Sequence, residues 1–270
     1  DYNLDDRQSL VFNHTFSRFV RVGEDPYDPN IVPFSDPNFL NKNILGLEYR
    51  LSLFGEKLAT TLFSKYYQFR ARTIDVDWDN EQTINTTDFN KPGYGLASTW
   101  FVLESLQLKL SLEQTYRLPE GYELFGDGLL TLNNAFLEPE ESRNLNAGFL
   151  FHRVNRNHKI NVETNYFYRG TENLIRIEAT GITSQYVNLA RASISGVESE
   201  VNWQYRKWIF LGGNLTYQNI INKTRFDGDR ESNVYLDRIP NIPYFFANLT
   251  AGIRFQEVIR PDDELGLNWY

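Results

Sequence analysis

The 270-residue chain has no cysteine, which excludes both a disulfide framework and a thiolate metal site. Histidine is scarce: His14, His152 and His158 do not fall at the spacing of a zinc motif, so no metal centre is expected. Long apolar runs are missing too. A membrane-spanning helix needs roughly 20 consecutive apolar residues, whereas the clean runs here are short ones such as Trp100-Phe101-Val102-Leu103. Positive charge is not in excess: the formal net charge is -8, and no basic patch stands out to neutralise phosphates, so nucleic acid is not an expected partner. Methionine is absent, and the chain opens Asp1-Tyr2-Asn3 without a signal peptide or basic leader, which reads as a fragment or a processed chain. There is no G-x-S-x-G elbow, Walker loop or dinucleotide fingerprint, so neither an enzyme nor a cofactor is expected. Asp75, Asp77 and Asp79 imitate the opening of a calcium loop. Asn80 stands where that loop needs Gly and Thr86 where it needs Glu, so an acidic loop tip is the better reading.

What is abundant is aromatic side chains in an otherwise polar chain. Aromatics make up 15% of residues, with 16 Tyr and 20 Phe, yet mean hydropathy is -0.47. A sheet with one greasy and one wet face gives this combination. The dominant pattern is alternation with a period of two. Leu108, Leu110, Leu112 and Tyr116 fall on one face of 107–117, opposite Lys109, Ser111, Glu113, Thr115 and Arg117. The same alternation runs through 159–169, 197–205 and 245–255. Strands are expected near 8–22, 42–54, 59–75, 93–103, 107–117, 143–153, 158–170, 191–204, 208–220 and 244–255, with another beginning near 264. They exceed the five or six residues common in globular sheets and suit a tilted bilayer crossing.

The links alternate in length. Short turns fall near Gly55, Ser105, Arg156 and Arg206, and long loops at 23–41, 76–92, 118–142, 171–190 and 221–243. Antiparallel order then puts every short turn at one end and every long loop at the other, as in outer-membrane barrels. Aromatics crowd the strand ends (Tyr66, Tyr67 and Phe69; Tyr166, Phe167 and Tyr168; Trp203, Tyr205, Trp208 and Phe210), as interfacial girdles would require. Strand propensity alone also enriches aromatics. No helix is expected anywhere.

Four elements in order resemble the barrel of TonB-dependent outer-membrane receptors. Arg117 and Pro119 precede Glu123-Leu124, and Leu137, Pro139, Glu140, Ser142 and Asn144 follow as L-x-P-E-x-S-x-N with Gly148 behind. Asn188 precedes Gly196-Val197-Glu198. Arg238, Pro240 and Pro243 resemble a later R-x-P-x-x-P element in a form common in Bacteroidetes members. The resemblance is clearest over 92–256.

It implies an all-β, antiparallel transmembrane β-barrel of the 22-strand type, present here as a partial barrel of about 10–11 strands over 1–270. The family's plug domain and final strands are not seen. Pro119, Pro139, Pro240 and Pro243 then read as structural residues at strand starts. Gly196 marks a bulge or a close approach by another backbone. Arg117, Glu163, Glu198, Glu200 and Arg254 should face the lumen, against the plug or against neighbouring strands.

By resemblance the chain is a piece of a receptor in the bacterial outer membrane, surrounded by outer-membrane lipid. It would take up a scarce nutrient, a ferric siderophore or similar iron chelate first among them, using the TonB complex through an N-terminal part not present here. Tyr122, Phe125, Tyr186, Arg225, Tyr235 and Arg238 are loop residues of types that could engage an aromatic or anionic chelate, but no ligand contact is assigned. The other readings are a passive porin-like barrel, a barrel-borne enzyme, or a soluble β-rich binding protein whose apolar face a second sheet covers.

Overall fold

The structure is a computed structural model, and it describes residues 2–22, 37–76, 82–127, 129–227, 230–239, 242–256 and 264–269. The alternating segments form one antiparallel meander. Its strands are β1 (Tyr2–Asp5), β2 (Gln8–Arg21), β3 (Asn38–Leu53), β4 (Leu58–Val76), β5 (Gln82–Leu103) and β6 (Leu106–Arg117), followed by β8 (Glu140–Val154), β9 (His158–Thr180), β10 (Thr183–Tyr205), β11 (Ile209–Asn222), β14 (Phe245–Gln256) and β15 (Glu264–Trp269). Each pairs with its neighbour in chain order, and β1 and β15 are the two ends of an unclosed sheet. Between β6 and β8 lie a short helix α1 (Gly121–Phe125) and β7 (Thr131–Leu132), which adds in parallel to β10. A separate hairpin, β12 (Phe226–Asp227) with β13 (Arg230–Glu231), stands in the last long loop.

All eleven expected strands are present, and four short ones join them. Two expected loops are largely strand. Over 171–190 the chain stays paired through Thr180↔Thr183, and over 82–92 β5 stays paired with β4. Pro92 fits inside β5 because the ladder to β6 begins only at Tyr94↔Gln114, so the missing N–H lies on a free edge. The third difference is α1, a single turn where no helix is expected; the Glu123 carboxylate accepts the Glu120 N–H at 2.7 Å and closes its first turn. The acidic tip at 77–81 lies outside the described residues.

Register sorts every side chain to one of two faces, because directly paired residues share a face. On one face Leu112 lies beside Leu96 and Leu145, then Tyr168 and Ser195 in the strands beyond. Leu108, Leu110 and Leu112 are exposed there, as are Leu215 and Leu249 farther round the sheet. Among the described residues no second sheet covers this face.

The other face is polar. Glu113 lies beside Asn144 and Arg169, while Glu163 lies beside Glu200 and Asn214. Arg117, Glu198 and Arg254 share this face, as expected.

Aromatics divide between the faces rather than all forming girdles. Tyr166, Tyr168, Trp203 and Tyr205 lie on the apolar face, but Phe167 and the buried Tyr67 and Phe69 lie on the polar one. From Tyr205, beside His158, to Ser195, beside Tyr168, is ten positions. At about 3.3 Å per residue and a tilt of about 40° that span is about 25 Å along the membrane normal, the height of an outer-membrane apolar band.

Candidate functional site

The largest buried cluster sits at the loop end of the polar face, where the segment 118–139 folds back onto the strands. Leu124 and Leu137 are fully buried there against Leu40, Tyr67, Phe69 and Ile175. Each such leucine contributes about 1.5–3 kcal/mol. Tyr116 lies past the last β5–β6 pair and meets Tyr67 and Phe89 edge-on, with ring centroids 5.5 and 5.2 Å away.

Polar groups from several strands fasten the same segment. Arg117 donates to both oxygens of Glu123 at 3.0 and 3.1 Å and to Glu140 at 2.8 Å. Glu140 also accepts the Ile175 N–H at 2.8 Å. From β2, Arg21 donates to the Phe125 and Gly126 carbonyls at 2.7 and 2.8 Å. From β3, Lys42 pairs with Glu120 at 2.7 Å; from β5, the Thr87 hydroxyl donates to the Ala135 carbonyl at 2.9 Å. From β10, Asn188 accepts the Glu138 N–H at 2.9 Å and donates to the Glu138 and Asn173 carbonyls at 2.9 and 2.8 Å.

The structure therefore brings Arg117, Pro119, Leu137, Pro139, Glu140 and Asn188 together. Pro139 is buried at the start of β8, as expected, whereas Pro119 is buried just past the end of β6, at a strand exit and not at a strand start. Ser142 and Asn144 continue the cluster down β8; both are buried, and Asn144 donates to Glu113 at 2.9 Å while accepting from Arg169 at 3.0 Å.

The remaining motif residues lie apart. Gly196 is a close approach and not a bulge, since the ladders run through it unbroken. A Cβ there would sit 2.3 Å from the Tyr217 carbonyl oxygen and 2.5 Å from the Phe167 ring. Glu198 is exposed lower on the polar wall. Arg238 donates to the Gln218 carbonyl at 2.8 Å and lies 4.4 Å from the Tyr244 ring centre, and Pro243 accepts from Gln218 at 2.9 Å. Pro240 lies outside the described residues.

Arg21, Lys42 and Thr87 have no expectation attached to them in the sequence. A signal was there: all three stand near the loop ends of their strands with the parity of the polar face.

Below the cluster the polar wall is open, with a hollow of about 720 Å³ beside Lys109, Asn146, Asn165, Glu198 and Asn214. Lys109 pairs with Glu163 at 2.7 Å, reaching across Gly148 between their strands. Of the two arrangements expected for Glu163, against a plug or against neighbouring strands, this resembles the second, although the partner stands two strands away.

Above the cluster, Tyr122 is exposed and meets Tyr186 edge-on at 5.7 Å, while Phe125 is buried. The negative charge of Glu123, ahead of a slight desolvation, holds the Tyr122 hydroxyl above its ordinary pKa. Asp127 accepts three backbone N–H groups, from Leu129, Leu130 and Thr131 at 2.8, 2.9 and 2.8 Å. These bonds, that from Leu129 foremost, bring its pKa down to about 2. No cluster of three or more metal-ligating side chains occurs among the described residues.

A long-stranded antiparallel wall with an uncovered apolar face, a polar opposite face and a loop folded over that polar face is the architecture of an outer-membrane barrel wall. The family described as TonB dependent receptor-like, beta-barrel, matches residues 1–270, and the chain belongs to it. The members of this family are outer-membrane β-barrel proteins, receptors and transporters rather than enzymes.

The chain is 28% identical over 164 residues to the probable hemoglobin and hemoglobin-haptoglobin-binding protein 4 of Haemophilus influenzae, covering 54% of this chain and 16% of that protein. It is 23% identical over 233 residues to the heme/hemopexin utilization protein C of the same species, covering 76% and 31%. Among solved structures, the copper transporter OprC superposes with a TM-score of 0.65 at 15% identity, covering 97% of this chain and 46% of that one. The FrpB iron transporter of Neisseria meningitidis gives 0.64 at 12% identity, covering 98% and 40%. The chain thus spans less than half of each of these four proteins.

Proposed function

We propose that this chain is one part of a receptor that takes up an iron-bearing chelate across the bacterial outer membrane, energised by the TonB complex. The observation that carries the reading is the family match along the whole chain. In the proposed receptor residues 1–270 are barrel, and a plug domain, the remaining strands and the segment that meets TonB come from chain beyond them. The polar face is then the lumen wall and the apolar face the lipid contact.

The buried cluster at the loop end holds the 118–139 segment in place, so that Tyr122 and Tyr186 present a rigid aromatic edge at the outer mouth. Such an edge suits a flat or aromatic chelate. A ferric siderophore is the first candidate. Haem is the second, favoured because both curated relatives are named for haem or haemoglobin.

Deleting the gene and supplying ferric siderophores or haemin as sole iron source tests this. The expected result is loss of growth on one chelate, with the same loss when the energising complex is removed. Unchanged growth on every iron source contradicts the nutrient assignment. Uptake that survives loss of the energising complex makes the barrel a passive pore.

A further inference from the structure

On the apolar face, the first row of side chains beyond Tyr168 changes character. The row Arg143–Gly170–Ser193 lies two positions nearer the loops than Tyr168, and the next row sets Glu172 beside Arg191. Lys223 follows, its N–H bonded to the Arg191 carbonyl. Gly170 has no side chain and Ser193 a small one, so the sheet is notched between basic neighbours, leaving a hollow of about 230 Å³.

The charges around it are only loosely paired. Arg143 lies 3.5 Å from Glu141 and Arg191 lies 3.4 Å from Glu172, longer than the 2.7–2.9 Å of a charge-assisted hydrogen bond. Both arginine side chains are mostly exposed, at 73% and 64%. Three cations against two carboxylates leave the notch net positive.

Its depth decides what it faces. The floor of the notch lies about 5 Å beyond the Tyr168 backbone along the membrane normal, from two residues at about 3.3 Å and the strand tilt, and the Tyr168 hydroxyl reaches up to it, 3.4 Å from where a Gly170 Cβ would stand. Tyr168 marks the edge of the apolar band, so the notch stands at the headgroup level of the outer leaflet. There an outward-pointing guanidinium meets lipid phosphates, which it matches in charge and in paired donors.

We propose that this notch is a binding site for a phosphate-bearing membrane lipid. Arg143 and Arg191 clasp the phosphate, and the acyl chains run down the apolar face over Tyr168 and Leu145. The inference rests on the family's membrane setting and is independent of which nutrient is transported.

The product of the full reading frame, purified in a neutral maltoside detergent, is titrated with dioleoyl phosphatidic acid, with dioleoylglycerol and with inorganic phosphate, and the complexes are counted by native mass spectrometry. Phosphatidic acid should bind. Its affinity should fall at least tenfold in R143A/R191A, and also in Ser193→Trp, which fills the notch but keeps every charge. Dioleoylglycerol should bind no better to the parent than to the variants, and millimolar phosphate should not displace the lipid. Circular dichroism of the strands verifies that each variant is folded. Equal binding of phosphatidic acid to the parent and R143A/R191A overturns the proposal. So does displacement by phosphate alone, which would make this a free-anion site.

Discussion

Arg117 and Lys109 stand on the same strand and the same face, and each pairs with a carboxylate, yet their surroundings differ. The partners of Arg117, Glu123 and Glu140, are 5% and 9% exposed beneath the folded loop. Lys109 and Glu163 are 44% and 43% exposed on the open wall. An ion pair in water is worth about 0–1 kcal/mol, because solvent competes for both charges and screens them. Buried carboxylates cannot be solvated if their partner leaves, so the upper pair is expensive to break. The upper region is a fastening. The lower region is a wetted surface that any domain filling the barrel would meet.

Arg117→Ala offers the largest break. It should destabilise the 118–139 segment by about 3–5 kcal/mol, while Lys109→Ala should change stability by less than about 1 kcal/mol. Hydrogen exchange on the detergent-folded receptor reads both, and equal effects would erase the distinction. Asn188→Ala sharpens the comparison next, since it removes three hydrogen bonds to the Glu138 and Asn173 backbone. The expected cost is about 1–3 kcal/mol, confined to amides around Glu138; a spread over the whole sheet would count against a local clasp.

The smallest effect belongs to Asp127, which is exposed and works through three backbone N–H groups. Its folded pKa is depressed, so its contribution is complete above the ordinary carboxylate value near 3.8 and is lost as pH falls towards about 2. Pepsin cleavage within 127–131 should therefore rise between pH 4 and 2 relative to Asp127→Asn, in which the turn is already loosened at pH 4. Parallel cleavage profiles would remove Asp127 from the account.

The strands and their faces were legible because alternation with one apolar face is the strongest period-two signal. Legibility failed where that contrast failed. Beyond the apolar band both faces of β9 and β10 carry polar residues, Glu172 and Arg191 outward and Asn188 inward, so 171–190 reads as loop although it is paired. In 82–92 the run Thr83 to Asn90 has one apolar residue on each face, Ile84 and Phe89, among polar neighbours, with Pro92 behind it, and only pairing with β4 makes it a strand. The motif residues were legible as structural positions, but their partners were not. Arg21 and Lys42 come from strands about 100 and 80 residues earlier, a separation no local pattern reports.

The most direct measurement uses the absence of cysteine, which makes every introduced thiol unique. Single cysteines at positions 108 to 113, in the receptor reconstituted into lipid vesicles, are probed with a charged maleimide and with a fluorophore quenched by brominated acyl chains. Positions 109, 111 and 113 should react with the aqueous reagent, and 108, 110 and 112 should be quenched by lipid. Equal aqueous reactivity at all six positions, or quenching without a period of two, would contradict a barrel wall with one face in lipid and one in the lumen.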